Sequence, residues 1–212
     1  MKKDDNCTLK NPDILKQKCN ALYSCHIASL TRQVQCYHDK GVDMPWIDPA
    51  DGGVKARMLI LLQSPARSDL MPRFVSLDNP CPSQQNLHRF LKQTRIKRKD
   101  IILWNTMPWL TLSGKKLSPT RNNIIKGVEI LKSLMPLLKN LTVVVLAGSA
   151  ASQTRSFFER EYPHLTLLTM PHPSPLSLCR SPSVTEAIKT TLHQAYLLIN
   201  SQRSEANNSH TL

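Results

Sequence analysis

The sequence predicts a three-layer α/β/α domain around a central four-stranded parallel sheet. Two observations lead there. Four short runs of continuous apolar residues recur along the chain, and helical patterns separate them. Continuous rather than alternating apolarity marks strands buried on both faces. Strand and helix in alternation imply a parallel sheet with right-handed crossovers and helices on its faces.

The elements follow in order. Residues 1–44 form an N-terminal helical region: over 9–38, Ile14, Leu15, Ala21, Leu22, Ile27 and Leu30 fall at spacings that share one buried face, until Pro45-Trp46-Ile47-Asp48-Pro49 breaks the pattern. The main domain spans 45–200. Its strands are expected at Met58-Leu59-Ile60-Leu61-Leu62, Ile101-Ile102-Leu103-Trp104, Val143-Val144-Val145-Leu146 and Leu165-Thr166-Leu167-Leu168. Helices are expected from Gln84 to Gln93 after the Pro82-Ser83 start, from Asn122 to Leu138, from Ala150 to Tyr162 and from Val184 to Asn200. Residues 201–212 turn polar without an apolar period and are expected to be a disordered tail.

At 212 residues the chain suits one domain with a real core. Its 28 Lys and Arg against 15 Asp and Glu give a net charge of +13, which favours a polyanionic partner bound through phosphate contacts and counterion release. Residues 1–50 hold seven basic and six acidic side chains, a net of +1, so the remaining +12 lies on the body of the domain. No apolar run approaches the ~20 residues of a membrane span, and Met1-Lys2-Lys3 is followed by Asp4-Asp5-Asn6 rather than an apolar signal core. A cytoplasmic protein without membrane contact is expected. The six cysteines are too sparse for a disulfide framework. Cys19, Cys25, His26, Cys36 and His38 are possible ligands in type, but they contain no Cys-x-x-Cys pair and fit no zinc spacing, so no metal is expected. No Gly-x-Gly-x-x-Gly cradle is present, which argues against a dinucleotide enzyme.

In an open parallel α/β sheet, ligands bind at the carboxyl ends of the strands. The exits here are Gln63-Ser64-Pro65-Ala66-Arg67, Asn105-Thr106-Met107-Pro108-Trp109, Ala147-Gly148-Ser149-Ala150 and Met170-Pro171-His172. All four open onto one edge. The last leads into Pro171-His172-Pro173-Ser174-Pro175-Leu176-Ser177-Leu178-Cys179-Arg180, where alternating prolines predict a stiff loop, because proline lacks an amide donor and fixes its own φ. Such a loop can present an imidazole, a hydroxyl and an exposed leucine without mobility; the plainer reading is a proline-rich connector.

This loop resembles the His-Pro-Ser-Pro-Leu-Ser loop of the uracil-DNA glycosylase superfamily. The resemblance extends from about Pro45 to about Asn200 in the superfamily's own order. Phe74-Val75-Ser76-Leu77-Asp78-Asn79-Pro80 taken with Trp104-Asn105-Thr106-Met107-Pro108-Trp109 looks like a bacterial uracil-DNA-glycosylase-like group. It implies a monofunctional DNA glycosylase that hydrolyses the bond between uracil, or a related deaminated base, and deoxyribose. Water is the nucleophile, no cofactor is needed, DNA is the partner and a monomer is expected.

Residue by residue, the resemblance places Leu176 as the wedge that fills the vacated stack, Phe74 as the ring on which the flipped base stacks, and Gln63 and Ser64 in the first substrate loop. His172 becomes the donor to the departing base's O2. Ser174 and Ser177 become contacts to the flanking phosphates. Asn105 would read the pyrimidine edge, because an amide donates and accepts at once. Read as residues alone, Asn105 also suits a strand-exit cap, Phe74 a core ring and the Ser positions simple turn chemistry.

The match fails at one point. The main uracil glycosylase family has an aspartate in the first loop to position water, and the aligned residue here is Ser64, which cannot act as a carboxylate base. Asp78, just after Phe74, is the nearest catalytic substitute, with Asp69 a poorer one. The alternative reading is therefore a weakened superfamily member that binds DNA or modified bases without excising them. Lys92, Arg95, Lys97, Arg98, Lys99, Lys115, Lys116 and Arg121 offer phosphate contacts or, equally, a solvated helix end.

Overall fold

The computed structural model describes residues 8–65, 71–110 and 117–208, the side chains as far as residue 201. In chain order its elements are α1 (Pro12–Asn20), α2 (Ala28–His38), β1 (Trp46–Ile47), β2 (Met58–Leu62), β3 (Phe74–Val75), α3 (Pro82–Gln93), β4 (Ile101–Asn105), α4 (Arg121–Leu134), β5 (Val143–Ala147), α5 (Ser149–Ser152), α6 (Arg155–Glu161), β6 (Thr166–Met170), α7 (Pro175–Leu178) and α8 (Pro182–Asn208).

The main sheet has four parallel strands in the order β4-β2-β5-β6. Every residue of β2, β4 and β5 is buried, as continuous apolar runs require of strands covered on both faces. β6 departs from that expectation. It lies at the sheet edge, leaves Thr166 and Thr169 exposed, and runs from Thr166 to Met170 rather than from Leu165 to Leu168. A second, two-stranded parallel sheet pairs Trp46 with Phe74 and Ile47 with Val75. Two-residue strands are too short to leave a periodic signal in sequence.

Helices close both faces. α3 packs on α8, and α2 packs on α4. In α8, Ile188, Leu192, Ala195 and Ile199 recur at helical spacing and are all but fully buried. Each of the larger of these side chains gains roughly 1.5–3 kcal/mol from leaving water. α8 runs to Asn208, past the expected end at Asn200. The expected helix over 150–162 is two, α5 and α6, and α4 gives way to a 3-10 turn at Met135–Leu137. The N-terminal region is likewise two helices, and it has no core of its own: Ile27, Leu30, Val34 and Met44 belong to the same hydrophobic core as the sheet. Gly127 lets α4 press against the β4 exit, since a Cβ there would lie 1.7 Å from the Thr106 carbonyl oxygen.

Candidate active site

Beyond the last strand pair of β2 and β4, the two exits stay joined. The Thr106 amide donates to the Leu62 carbonyl at 2.7 Å, its hydroxyl donates to the same oxygen, and the Met107 amide donates to the Gln63 carbonyl at 2.9 Å. These bonds set Asn105, 3 % exposed, beside Ser64. On the other side of the sheet the Gly148 amide donates to the Met170 carbonyl at 2.8 Å, which joins the β5 and β6 exits and brings His172 over Gly148.

The histidine loop is pinned at both ends. Asn86 of α3 donates its side-chain amide to the Pro173 carbonyl at 3.0 Å. Ser174 caps α7, its hydroxyl oxygen accepting from the Ser177 amide, with Pro175 in the first turn. The proline-rich segment is therefore a loop that ends in one helical turn, because proline at a helix start sacrifices no bond. Ser174 and Ser177 meet each other across this cap, and the Ser174 Oγ acceptor is used by the fold. Leu176 projects from the turn, 76 % exposed, in a domain whose other apolar side chains are mostly buried.

These pieces surround a cleft of about 730 Å³, into which Gln63, Ser64, His172, Ser174, Leu176 and Ser177 all face. A smaller pocket of about 20 Å³, room for one water-sized group, lies against Phe74 and Asn105 and shares Ser64, Pro65, Arg73 and Gln84 with the cleft. The sheet thus gathers eight of the nine expected site residues into two adjoining spaces. Sequence reasoning missed Arg73, Gln84, Trp109 and Arg180, which line them too. Arg73 had one available signal, its place directly before Phe74.

Asp78 is the residue that the fold takes elsewhere. It lines neither space, and its Oδ2 lies 2.6 Å from Arg98 Nη1 and 3.0 Å from Lys18 Nζ. Arg98 also binds Asp48 and Asp51, and Lys18 binds Asp48 at 2.6 Å. The carboxylate beside Phe74 in sequence is therefore part of a buried ion cluster that ties α1 to the chain after β1 and β3. Burial alone would lower the Arg98 guanidinium, yet Asp48, Asp51 and Asp78 raise it above its usual value. Asp51 is pushed up to about 8, first by burial and then by Asp48, against the opposing pull of Arg98 and Lys18. Its Oδ2 has no hydrogen-bond partner, which a neutral carboxyl tolerates far better than a carboxylate. With Asp51 protonated, two carboxylates face two cations. Arg98, expected among phosphate contacts, is thus occupied inside the fold. Among the described residues no carboxylate lines the cleft or the small pocket. Asp69, Lys115 and Lys116 lie outside the described residues.

The histidines considered as ligands have other partners. His26 Nε2 is 2.9 Å from the Pro49 carbonyl, and His38 Nε2 is 2.8 Å from that of Met44, with its ring edge-on to Trp46. Among the described residues no three His, Cys, Asp or Glu side chains converge to hold a metal ion, and no helix is long and apolar enough to cross a membrane.

A parallel β4-β2-β5-β6 sheet with its loop residues gathered at the carboxyl edge defines an open α/β protein whose candidate site lies at the strand exits. The sequence model of the Uracil DNA glycosylase superfamily matches residues 49–195, and the chain belongs to that superfamily. No curated protein sequence matches it. Among solved structures it is similar to mimivirus uracil-DNA glycosylase, at 16 % identity and a TM-score of 0.41 over 84 % of this chain and 75 % of that one. A mimivirus UNG variant in complex with UGI is 14 % identical, with a TM-score of 0.41 over 80 % and 72 %. SMUG2 of Pedobacter heparinus is 11 % identical, with a TM-score of 0.43 over 84 % and 83 %.

Proposed function

We propose that the protein is a monofunctional DNA glycosylase that releases uracil or a related deaminated base from DNA. The observation that supports this most directly is the grouping of His172, Ser64, Phe74 and Asn105 around two adjoining spaces, with Leu176 exposed at the rim. Extruding a nucleotide costs a few kcal/mol and needs a wedge and a pocket. Leu176 is the wedge, Phe74 the stacking ring, and Asn105 the amide that meets the base edge. Ser174, Ser177 and the exposed Arg180 face the flanking phosphates.

Cleavage breaks the bond between the base nitrogen and C1′ of the sugar. The base leaves with the electron pair, and water adds to the oxocarbenium-like sugar. His172 donates to the base oxygen where negative charge develops. Stabilising the leaving base in this way carries much of the rate, and Asp78, held by Arg98 and Lys18, takes no part in it. Gln63 and Ser64 line the cleft as further contacts to the substrate.

Incubation with duplex and single-stranded oligonucleotides containing uracil or hypoxanthine, followed by alkali, tests the proposal. Strand breaks at the modified position are expected. Binding to these oligonucleotides without any abasic site would replace the enzyme by a reader of modified bases.

A further inference from the structure

Two polar atoms beside Phe74 are buried without hydrogen-bond partners, Arg73 Nε and Gln84 Oε1. Arg73 directly precedes β3, and Gln84 stands in the first turn of α3, 8 % exposed. Both line the small pocket and the cleft at once. An unmet buried donor or acceptor destabilises the fold, and among the described residues none meets either atom. A ligand that supplies one acceptor and one donor at adjacent positions would complete both.

We infer that Arg73 and Gln84 determine which base the pocket accepts, and that they select a base with a ring N–H next to a carbonyl oxygen over one with an exocyclic amine. The inference rests on the glycosylase reading of the site. A guanidinium can only donate, so it takes a carbonyl oxygen and opposes an amine. The glutamine oxygen accepts, so it takes the ring N–H, and Asn105 is left to donate to the neighbouring carbonyl, whose two lone pairs admit both donors. Cytosine offers the reverse pattern, an amine donor next to a ring acceptor, and leaves both groups unmatched. Sites built from groups that must be paired reject the wrong partner strongly for that reason. At about 20 Å³ the pocket must widen as a base enters. The long side chains of Arg73 and Gln84 are the ones at the boundary with the cleft that can turn to open it.

The test uses duplexes carrying 2′-fluoro-2′-deoxyuridine or 2′-fluoro-2′-deoxycytidine, which resist cleavage, and measures the binding preference of the full chain and of Arg73→Met and Gln84→Met. The parent is expected to prefer the uracil duplex, and each variant to lose that preference by roughly 10-fold or more, in line with about 1–3 kcal/mol per base-edge contact pair. Because each substitution removes an unmet buried polar atom, the melting temperature should hold or rise. A folded variant that keeps the parent's preference overturns the inference, as does a parent without preference. A large fall in melting temperature in both variants would assign the pair to the fold and overturn it too. A parent that prefers the uracil duplex yet releases no uracil from an ordinary one would refute the glycosylase reading while leaving the selection by Arg73 and Gln84 in place.

Discussion

A Cβ built on Gly148 would lie 2.9 Å from the Cβ of His172. The backbone of Gly148 sits at φ +87°, ψ 173°, a region open essentially only to glycine. The third strand exit thus makes room for the fourth, and the imidazole crosses the sheet edge directly over it. No other residue type gives both the conformation and the space.

Gly148→Ala should therefore cost about 1–3 kcal/mol of stability from backbone strain. It should also displace His172 and slow excision beyond what the lost stability explains. Thermal melting together with single-turnover excision checks this. A variant that melts lower but excises at the parent rate would show that His172 tolerates the shift.

His172→Ala should slow single-turnover excision by about 10²–10³, the usual effect of removing one donor to a developing oxyanion. The melting temperature should change little, because His172 stands on the rim of the cleft and belongs to neither hydrophobic cluster. Excision at the parent rate would remove the histidine from the chemical step.

Leu176 is 76 % exposed at the tip of a capped turn, so truncating it removes little packing. Leu176→Ala should lower excision from duplex DNA roughly tenfold while leaving single-stranded substrate nearly unaffected, because only the duplex has a stack to fill and a few kcal/mol of extrusion to meet. Equal losses on both substrates would mean that the leucine contacts the strand in some other way.

The two marks of a buried parallel sheet, continuous apolarity and alternation with helices, lie within short windows. That is why β2, β4 and β5 and the four strand exits could be read from the residues. β6 was misplaced by a residue or two because the exposed Thr169 interrupts the apolar run before Met170. Ser174 could be placed on the loop but not recognised as the α7 cap, since a single turn has no periodicity. Asp78 shows where sequence proximity fails. It stands four residues from Phe74, yet its partners Lys18 and Arg98 come from distant parts of the chain, and only the fold reveals that its carboxylate is engaged. Gln84 had the same problem in reverse, an ordinary helix-start residue by sequence and a buried pocket wall in space.

Asp78→Asn should accordingly act on stability and not on the chemistry. Removing one partner from a buried, paired cluster costs up to about 3–5 kcal/mol, and the amide keeps part of the hydrogen bonding, so a smaller loss is expected here. Excision per folded molecule should stay within about twofold of the parent. A rate loss of the size predicted for His172→Ala, in a protein that melts normally, would restore Asp78 to catalysis.

The same cluster makes the fold sensitive to alkali. Asp51 takes up its proton at about 8 in the folded chain, against 3.8 for an unperturbed aspartate, so between these values the native state holds a proton that the unfolded chain has released. Its contribution to stability is fully present below about pH 4, declines by up to about 1.4 kcal/mol per pH unit as pH rises, and is lost above about pH 8. Asp51→Asn keeps a neutral group and a carbonyl oxygen for Arg98 Nε, which lies 2.8 Å from Asp51 Oδ1. Chemical denaturation at pH 5 and pH 9 should show the parent losing stability over that range and the variant losing markedly less, so that the variant gains on the parent as pH rises. Parallel pH profiles for the two proteins would mean that Asp51 is already ionised in the fold, with three carboxylates held by Arg98 and Lys18 alone.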